Sequence, residues 1–209
     1  CSSCPPADEL LGRLRNDPGA DGMEVIPLGF HVDYWNHLGW QDRFSSPQYS
    51  RRQEDYTRKL RLDGPYTPQM IVDGTREFVG SDASAARRAI SGAASAPALV
   101  QISLLPAEGK LSVKASAEPG ISGQLLLAIT EDNLSSHVGA GENSGRMLHH
   151  SAVVRDFRQI GKLHNGNFQG TVPLRVGSDW KHGDLHVVVF VQDPGTGRIE
   201  GAASVAPKF

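Results

Sequence analysis

The chain opens with CSSC, and Cys1 and Cys4 are the only cysteines in its 209 residues. Cysteines three apart can close a disulfide and exchange it with another thiol, because the thiolate is the attacking species. They can also form an inert staple, supply half of a mixed Cys/His metal site, or offer Cys1 for lipid attachment. Redox chemistry is the favoured reading. A four-residue loop constrains little of the unfolded chain, so a staple here contributes little. A lipid anchor fits poorly, since PPADELLGRL starts a helical pattern at once instead of a flexible tether. A second set of candidates lies in FHVDYWNHLGW, where His31 and Asp33 are two apart and Trp35 and Trp40 either pack the core or loop, the favoured reading, or offer an apolar wall. Residues two apart share one face of a strand. His31 and Asp33 are therefore read either as a proton-transfer or metal-binding pair beside the thiols, or as a hydrogen-bonded support for the loop. A third set lies in GENSGRMLHHSAVVR, whose Glu142, Asn143, Arg146, His149, His150 and Arg155 are too polar for a plain hairpin. They read as a docking surface against the first half, as a second ligand or metal site, or as a solvated loop. His149 and His150 are adjacent and face opposite sides of a strand, so they do not chelate together.

The elements that must position these residues change character along the chain. Ala7 to Arg15 places Leu10, Leu11 and Leu14 on one helical face, with Asp8 and Glu9 at the positive end, and Asn16-Asp17-Pro18-Gly19 stops it. Pro5 and Pro6 lose no helical hydrogen bond so early in a helix. A thiolate just before that helix is stabilised by its free N–H groups. Cys1 is thus the exposed attacking thiol, and Cys4 the one that resolves the mixed disulfide. MEVIPLGFHV (23–32) suits a buried strand, and His31 and Asp33 fall at its carboxyl end, where α/β sheets bind ligands. A polar helix starts at Ser46-Pro47 and stops at Asp63-Gly64-Pro65. TPQMIVDG and TREFVG form a hairpin turning at Asp73-Gly74, and an Ala-rich helix runs from Ser81 to Ser95. Beyond Ser95-Ala96-Pro97 the pattern becomes a series of short β-type segments: QISLLP, KLSVKASAE, GQLLLAITED, GNFQGTVPL, LHVVVFVQD and IEGAASV. That series reads as a β-sandwich.

Composition bounds the alternatives. Hydrophobic residues make up 39% of the chain and the formal net charge is −2 with both signs interspersed, so a folded globular protein is indicated and a basic nucleic-acid footprint is missing. No apolar run approaches the ~20 residues of a membrane helix. Nothing in the pattern calls for a cofactor.

The order Cys-x-x-Cys, helix, strand, helix, Thr67-Pro68, strand, hairpin partner, helix resembles the thioredoxin fold. That resemblance implies a cis bond at Thr67-Pro68, packed against the cysteines, with the Thr67 backbone offered to an extended peptide or thiol substrate. CSSCPPAD, FHVDYWNHLGWQDRFSSPQYSRRQ, YTPQMIVDG and GENSGRMLHHSAVVR further resemble the DUF1223 family over almost the whole chain. The resemblance implies a thioredoxin-like bacterial protein of the periplasm or the secreted fraction, without naming a substrate. Both resemblances imply a strand before Cys1, and the expectation is that the sequence starts after it. The fold class expected is therefore an α/β thioredoxin-like domain over 1–96 followed by an all-β sandwich-like domain over 97–209. The function expected is thiol–disulfide exchange by Cys1 and Cys4 with a protein or small-thiol partner. A scaffold-type binding module is one alternative. A copper-handling protein using Cys1, Cys4 and His31 is the other, because soft thiolates favour copper(I).

Overall fold

A computed structural model of the chain describes residues 1–16 and 24–209. Its elements, in order, are α1 (Pro5–Asn16), α2 (Pro47–Lys59), β1 (Gln69–Val72), β2 (Arg76–Val79), α3 (Ala83–Ala94), β3 (Val100–Ala107), β4 (Lys110–Ala117), β5 (Gln124–Glu131), β6 (Leu134–His137), β7 (Met147–His150), β8 (Val153–Lys162), β9 (Asn167–Pro173), β10 (Leu185–Gln192) and β11 (Ile199–Val205). The chain forms two compact units. The first takes Cys1–Ser95 and Asp132–Val154, and the second takes Ala96–Glu131 and Arg155–Phe209. Residues 132–154, placed by sequence with the second half, thus belong to the first unit.

In the first unit α1 carries Asp8 in its first turn and Arg13 and Arg15 in its last, charges that suit the helix dipole. Leu10 and Leu14, one turn apart, are buried with Ala86 of α3, and Val25, Met70, Phe78 and Ile90 pack around them. Leu11, grouped with them by periodicity, is only half-buried. Ser46 caps α2 by accepting the Gln48 N–H, and Asp82 caps α3 by accepting the Ala85 N–H. β1 and β2 pair antiparallel with Met70 opposite Phe78, which brings both onto the face covered by α1 and α3. β6 and β7 form a second antiparallel pair, with Ser136 opposite Leu148.

This arrangement corrects the expected α/β thioredoxin-like fold class. Among the described residues the first unit has two separate two-stranded antiparallel pairs, and its parallel pairing is the isolated bridge between Gly29 and Val153. Of the strand expected over 23–32, Met23 lies outside the described residues and 24–32 form no strand. Gly29 makes both of that bridge's bonds, its N–H to the Ala152 carbonyl at 2.7 Å and its carbonyl from the Val154 N–H at 2.9 Å. Two residues earlier, Pro27 has no N–H to offer a ladder. The apolar run therefore packs by its side chains without joining a sheet. The expected stop after α1 at Asp17-Pro18-Gly19 lies outside the described residues. Among the described residues strand outweighs helix, 38% to 21%, so the fold is β-rich with several small antiparallel sheets.

The second unit holds a four-stranded antiparallel sheet in the order β11-β10-β5-β8 and a three-stranded one in the order β3-β4-β9. Leu111, Val113 and Ala115 of β4 alternate into a core with Leu125, Leu127 and Ile129 of β5 and Val187, Val189 and Val191 of β10. β5 and β10 are buried almost along their whole length, which is why they read as continuous apolar runs. β8, VVRDFRQIGK, carries charges among its apolar residues and has no such signal.

Candidate functional site

Cys1 and Cys4 are joined by a disulfide, with their Cα atoms 5.5 Å apart. Cys4 immediately precedes α1. Its carbonyl accepts the N–H groups of Ala7 at 2.9 Å and Asp8 at 3.1 Å, so the first helical turn is wound directly from the cysteine. Both cysteines are partly exposed. A sulfur released here sits at the helix N-terminus, where N–H groups without intrahelical partners favour the thiolate. The Ser3 hydroxyl lies 3.6 Å from the Cys1 sulfur.

The loop between β6 and β7 grips this corner. The Ser2 N–H donates to the Glu142 carboxylate at 2.8 Å. Asn143 donates its side-chain N–H to the Cys1 carbonyl at 2.9 Å, and Arg146 donates to the Asn143 carbonyl oxygen at 2.9 Å. Asn143 is 8% exposed, so its amide is a fixed strut. The Ser2 N–H holds the Glu142 carboxyl below its usual range. The polar sequence GENSGR is thus explained as the clasp of the CSSC loop, with Glu142, Asn143 and Arg146 each in a distinct role.

Behind the first turn of α1 lies a pair of imidazoles, His150 buried and His31 partly so. His31 Nδ1 meets the Asp42 carboxylate at 2.6 Å. His150, 5% exposed, meets the Asp8 carboxylate through Nδ1 at 3.0 Å and the Ser136 hydroxyl through Nε2 at 3.2 Å. The two rings stand edge to face with centroids 5.0 Å apart, and Phe44 is 5.7 Å from each. Asp42 is organised as a carboxylate by the Phe44 N–H at 2.9 Å, while its own N–H donates to Asn36 at 3.1 Å. Burial alone depresses an imidazole. At His31 the hydrogen bond and charge of Asp42, with a smaller push from Asp8, reverse this and hold it above its ordinary value. Burial raises the Asp42 carboxyl, but the His31 bond and charge prevail and leave it lowered.

The third component is Thr67-Pro68, whose bond is cis as the resemblance implied. The Pro68 carbonyl accepts the Gly80 N–H at 2.9 Å. A Cβ on Gly80 would lie 3.1 Å from that of Pro68 and 3.3 Å from that of Ala7, so Pro68 and the first turn of α1 close on the same point. Trp35, 39% exposed, donates its indole N–H to the Thr67 hydroxyl at 2.9 Å. Gln53 of α2 accepts from the Tyr34 hydroxyl at 2.8 Å and donates to the Tyr66 carbonyl at 2.7 Å, fastening the loop from below.

Not every residue singled out by sequence joins this site. His31 and Asp33 do not pair. Asp33 bonds to Ser50 through both its backbone N–H and its carboxylate. Trp40 is half-buried, and His149 is exposed, while its neighbour His150 is the buried one. Arg155 belongs to the second unit, where it pairs with Glu131, reaches Asp179 at 3.5 Å and lies over the Trp180 ring. A copper set of Cys1, Cys4 and His31 is not assembled here, since the two sulfurs are bonded to each other and His31 is turned to Asp42. Among the described residues no group of three or more His, Cys, Asp or Glu side chains is placed to hold a metal ion. Nor is any described helix long and apolar enough to cross a membrane. Sequence reasoning missed Asp42, Ser136 and Gln53. Each acts across a loop or between elements, and no periodicity marks such a partner.

Comparison with known proteins places the chain. The model of a family described as a protein of unknown function, DUF1223, matches residues 1–192. No curated protein matches the chain. Among solved structures, the crystal structure of protein AGR_C_4864 from Agrobacterium tumefaciens superposes with a TM-score of 0.81 at 26% identity, covering 98% of this chain and 88% of that one.

Proposed function

The chain belongs to the DUF1223 family, and from the geometry of its first four residues we propose that it is a thiol–disulfide oxidoreductase working through Cys1 and Cys4. The observation that carries this reading is the part-exposed disulfide set directly on the N-terminus of α1, with its backbone clasped by Glu142 and Asn143. A disulfide serving only as a staple gains little from a loop this short. In the reducing direction the Cys1 thiolate attacks a substrate disulfide, and one substrate sulfur leaves as a thiolate. Cys4 then attacks the Cys1 sulfur, re-forming the Cys1–Cys4 bond and releasing the second substrate sulfur. The substrate gains two electrons and two protons, and the dithiol loses them; the oxidising direction is the reverse. In this reading Thr67, Pro68 and Trp35 form the substrate surface, supported by the approach of Pro68 and Ala7 to the same point at Gly80 and by the Trp35 bond to Thr67. An oxidising compartment, periplasmic or extracellular, suits a protein that carries this bond closed.

Turnover of an insulin-type disulfide with dithiothreitol as electron source tests the reading. Cys1→Ser abolishes turnover, and Cys4→Ser accumulates a mixed disulfide on Cys1. A chain that gives no turnover in either direction, with a Cys1/Cys4 potential below about −300 mV, holds a structural disulfide and overturns the proposal.

A further inference from the structure

The imidazole pair is a polar cluster set among apolar side chains, an arrangement that costs desolvation and needs its hydrogen bonds to compensate. Its place explains it. Asp8 is shared between two partners. Its N–H bonds the Cys4 carbonyl at 3.1 Å, and its carboxylate bonds His150 at 3.0 Å. His150 stacks edge to face on His31, which is fixed by Asp42. We infer that Asp42, His31, His150 and Asp8 form a charge reservoir for the Cys1/Cys4 dithiol, in which imidazolium favours the thiolate that disulfide opening creates. The inference rests on the redox reading of Cys1 and Cys4 and names the residues that tune it. These are positioning residues, since they act through the first turn of α1 and not on substrate.

The physical argument is one of charge. The closed disulfide is neutral, and opening it with two electrons leaves sulfurs that carry either a proton or a negative charge. The groups facing the pair are Asp8 from α1, Ser136 from β6, and Asp42 and Phe44 from the loop before α2, with the Arg43 guanidinium stacked on the Phe44 ring at 4.6 Å. The Asp42 carboxylate favours a cation at His31, and Phe44 keeps that side apolar. Low local polarity strengthens the interaction of that cation with a new thiolate. Coupling is reciprocal: imidazolium lowers the thiol's proton affinity, and a thiolate raises the imidazole's by the same factor. Thiolate therefore forms more readily below the His31 midpoint than it does with His31 neutral, and this help disappears as pH rises through that midpoint.

Nuclear magnetic resonance titration of the histidines in the full chain, with the disulfide closed and again after reduction, tests this. The His31 midpoint moves up by about half a pH unit or more once Cys1 is a thiolate, as an added negative charge nearby raises an imidazole. In His31→Gln, the Cys1 thiolate titration, followed by alkylation rate against pH, moves up by a similar amount. In His150→Gln, which cuts the link to Asp8, the redox-dependent shift of His31 shrinks. Coincident His31 midpoints in the two redox states overturn the inference whether or not the protein turns over disulfides. A shift in a chain without turnover upholds the coupling and removes only the catalytic reading. The wild-type comparison stands by itself if either variant fails to fold.

Discussion

His31 and Asp42 illustrate what one contact does in this protein. Neither side chain is well exposed, and each is the other's main compensation for lost water. The raised His31 and lowered Asp42 titrations carry opposite linkage signs. The histidine's contribution to stability is complete below its unfolded value near 6.5 and is lost as pH rises through its higher folded value. The aspartate's is complete above its unfolded value and is lost as pH falls through its lower folded one. The pair therefore supports the fold most between those two limits. Asp42→Asn removes the cause of both shifts. His31 then titrates below its wild-type midpoint, and urea unfolding at neutral pH shows a loss of about 1–3 kcal/mol, the usual effect of breaking a buried charge-assisted bond. A wild-type unfolding profile unchanged by the substitution from pH 5 to 8 would contradict this. His31 could be picked out of the sequence because a polar residue closed an apolar run. Its partner could not. Strand periodicity pointed to Asp33, two residues away, but residues 24–32 join no sheet and the partner sits 11 residues on, across a loop whose path no local pattern encodes.

At the scale of elements, the readings that succeeded were those in which a local signal and a tertiary need coincide. Leu10 and Leu14 set the buried face of α1, Ser46-Pro47 starts α2, Asp82 caps α3, and β1 and β2 follow from two short apolar strands around a turn. β6, β7 and β8 escaped because their residues answer to distant partners: polar side chains of the β6–β7 loop face the CSSC loop, and β8 mixes charge with apolar residues. The packing yields two predictions with separate signatures. Leu10→Ala opens a cavity under α1 against Ala86 and Met70 and lowers stability by about 2–5 kcal/mol in urea unfolding. Gly80→Ala places a methyl group 3.1 Å from Pro68 and 3.3 Å from Ala7. Both neighbours are rigid, so overpacking of about 1–3 kcal/mol is expected. Because the strain falls between Pro68 and the first turn of α1, Gly80→Ala also changes the rate at which the reduced protein reacts with a disulfide, whereas an equal loss of stability from Leu10→Ala leaves that rate within about twofold. Equal effects of the two on rate would show that the Pro68 contact has no bearing on the cysteines.

At the scale of the whole molecule, the chain departs from the order of its sequence. A composition change near residue 96 suggests a clean division, and the first unit does end one of its segments there, at Ser95. Yet that unit reclaims Asp132–Val154 from the following half, and the reclaimed stretch carries Glu142, Asn143, Ser136 and His150, all of which touch the CSSC loop, its helix or the imidazole pair. Such long-range pairings leave no mark in composition or period. They also mean that the first 95 residues lack much of their own interior: Phe44 packs with Leu134 and Val153, and the Tyr49 hydroxyl donates to the Val154 carbonyl at 3.0 Å. A fragment ending at Ser95 exposes Phe44 and the apolar side of His31, and loses the hydrogen bonds that hold Cys1, Ser2 and Asp8. Such a fragment is expected to lack native near-ultraviolet dichroism, to show His31 titrating near its unperturbed value of about 6.5, and to have a Cys1 thiol near the free value of about 8.5. Adding residues 132–154 as a separate peptide restores part of the dichroism if the clasp is what completes the unit. A fragment 1–95 that already shows the raised His31 titration and native dichroism would mean that α1 and the CSSC loop are positioned by the N-terminal segment alone, and that residues 132–154 merely cover a site formed without them.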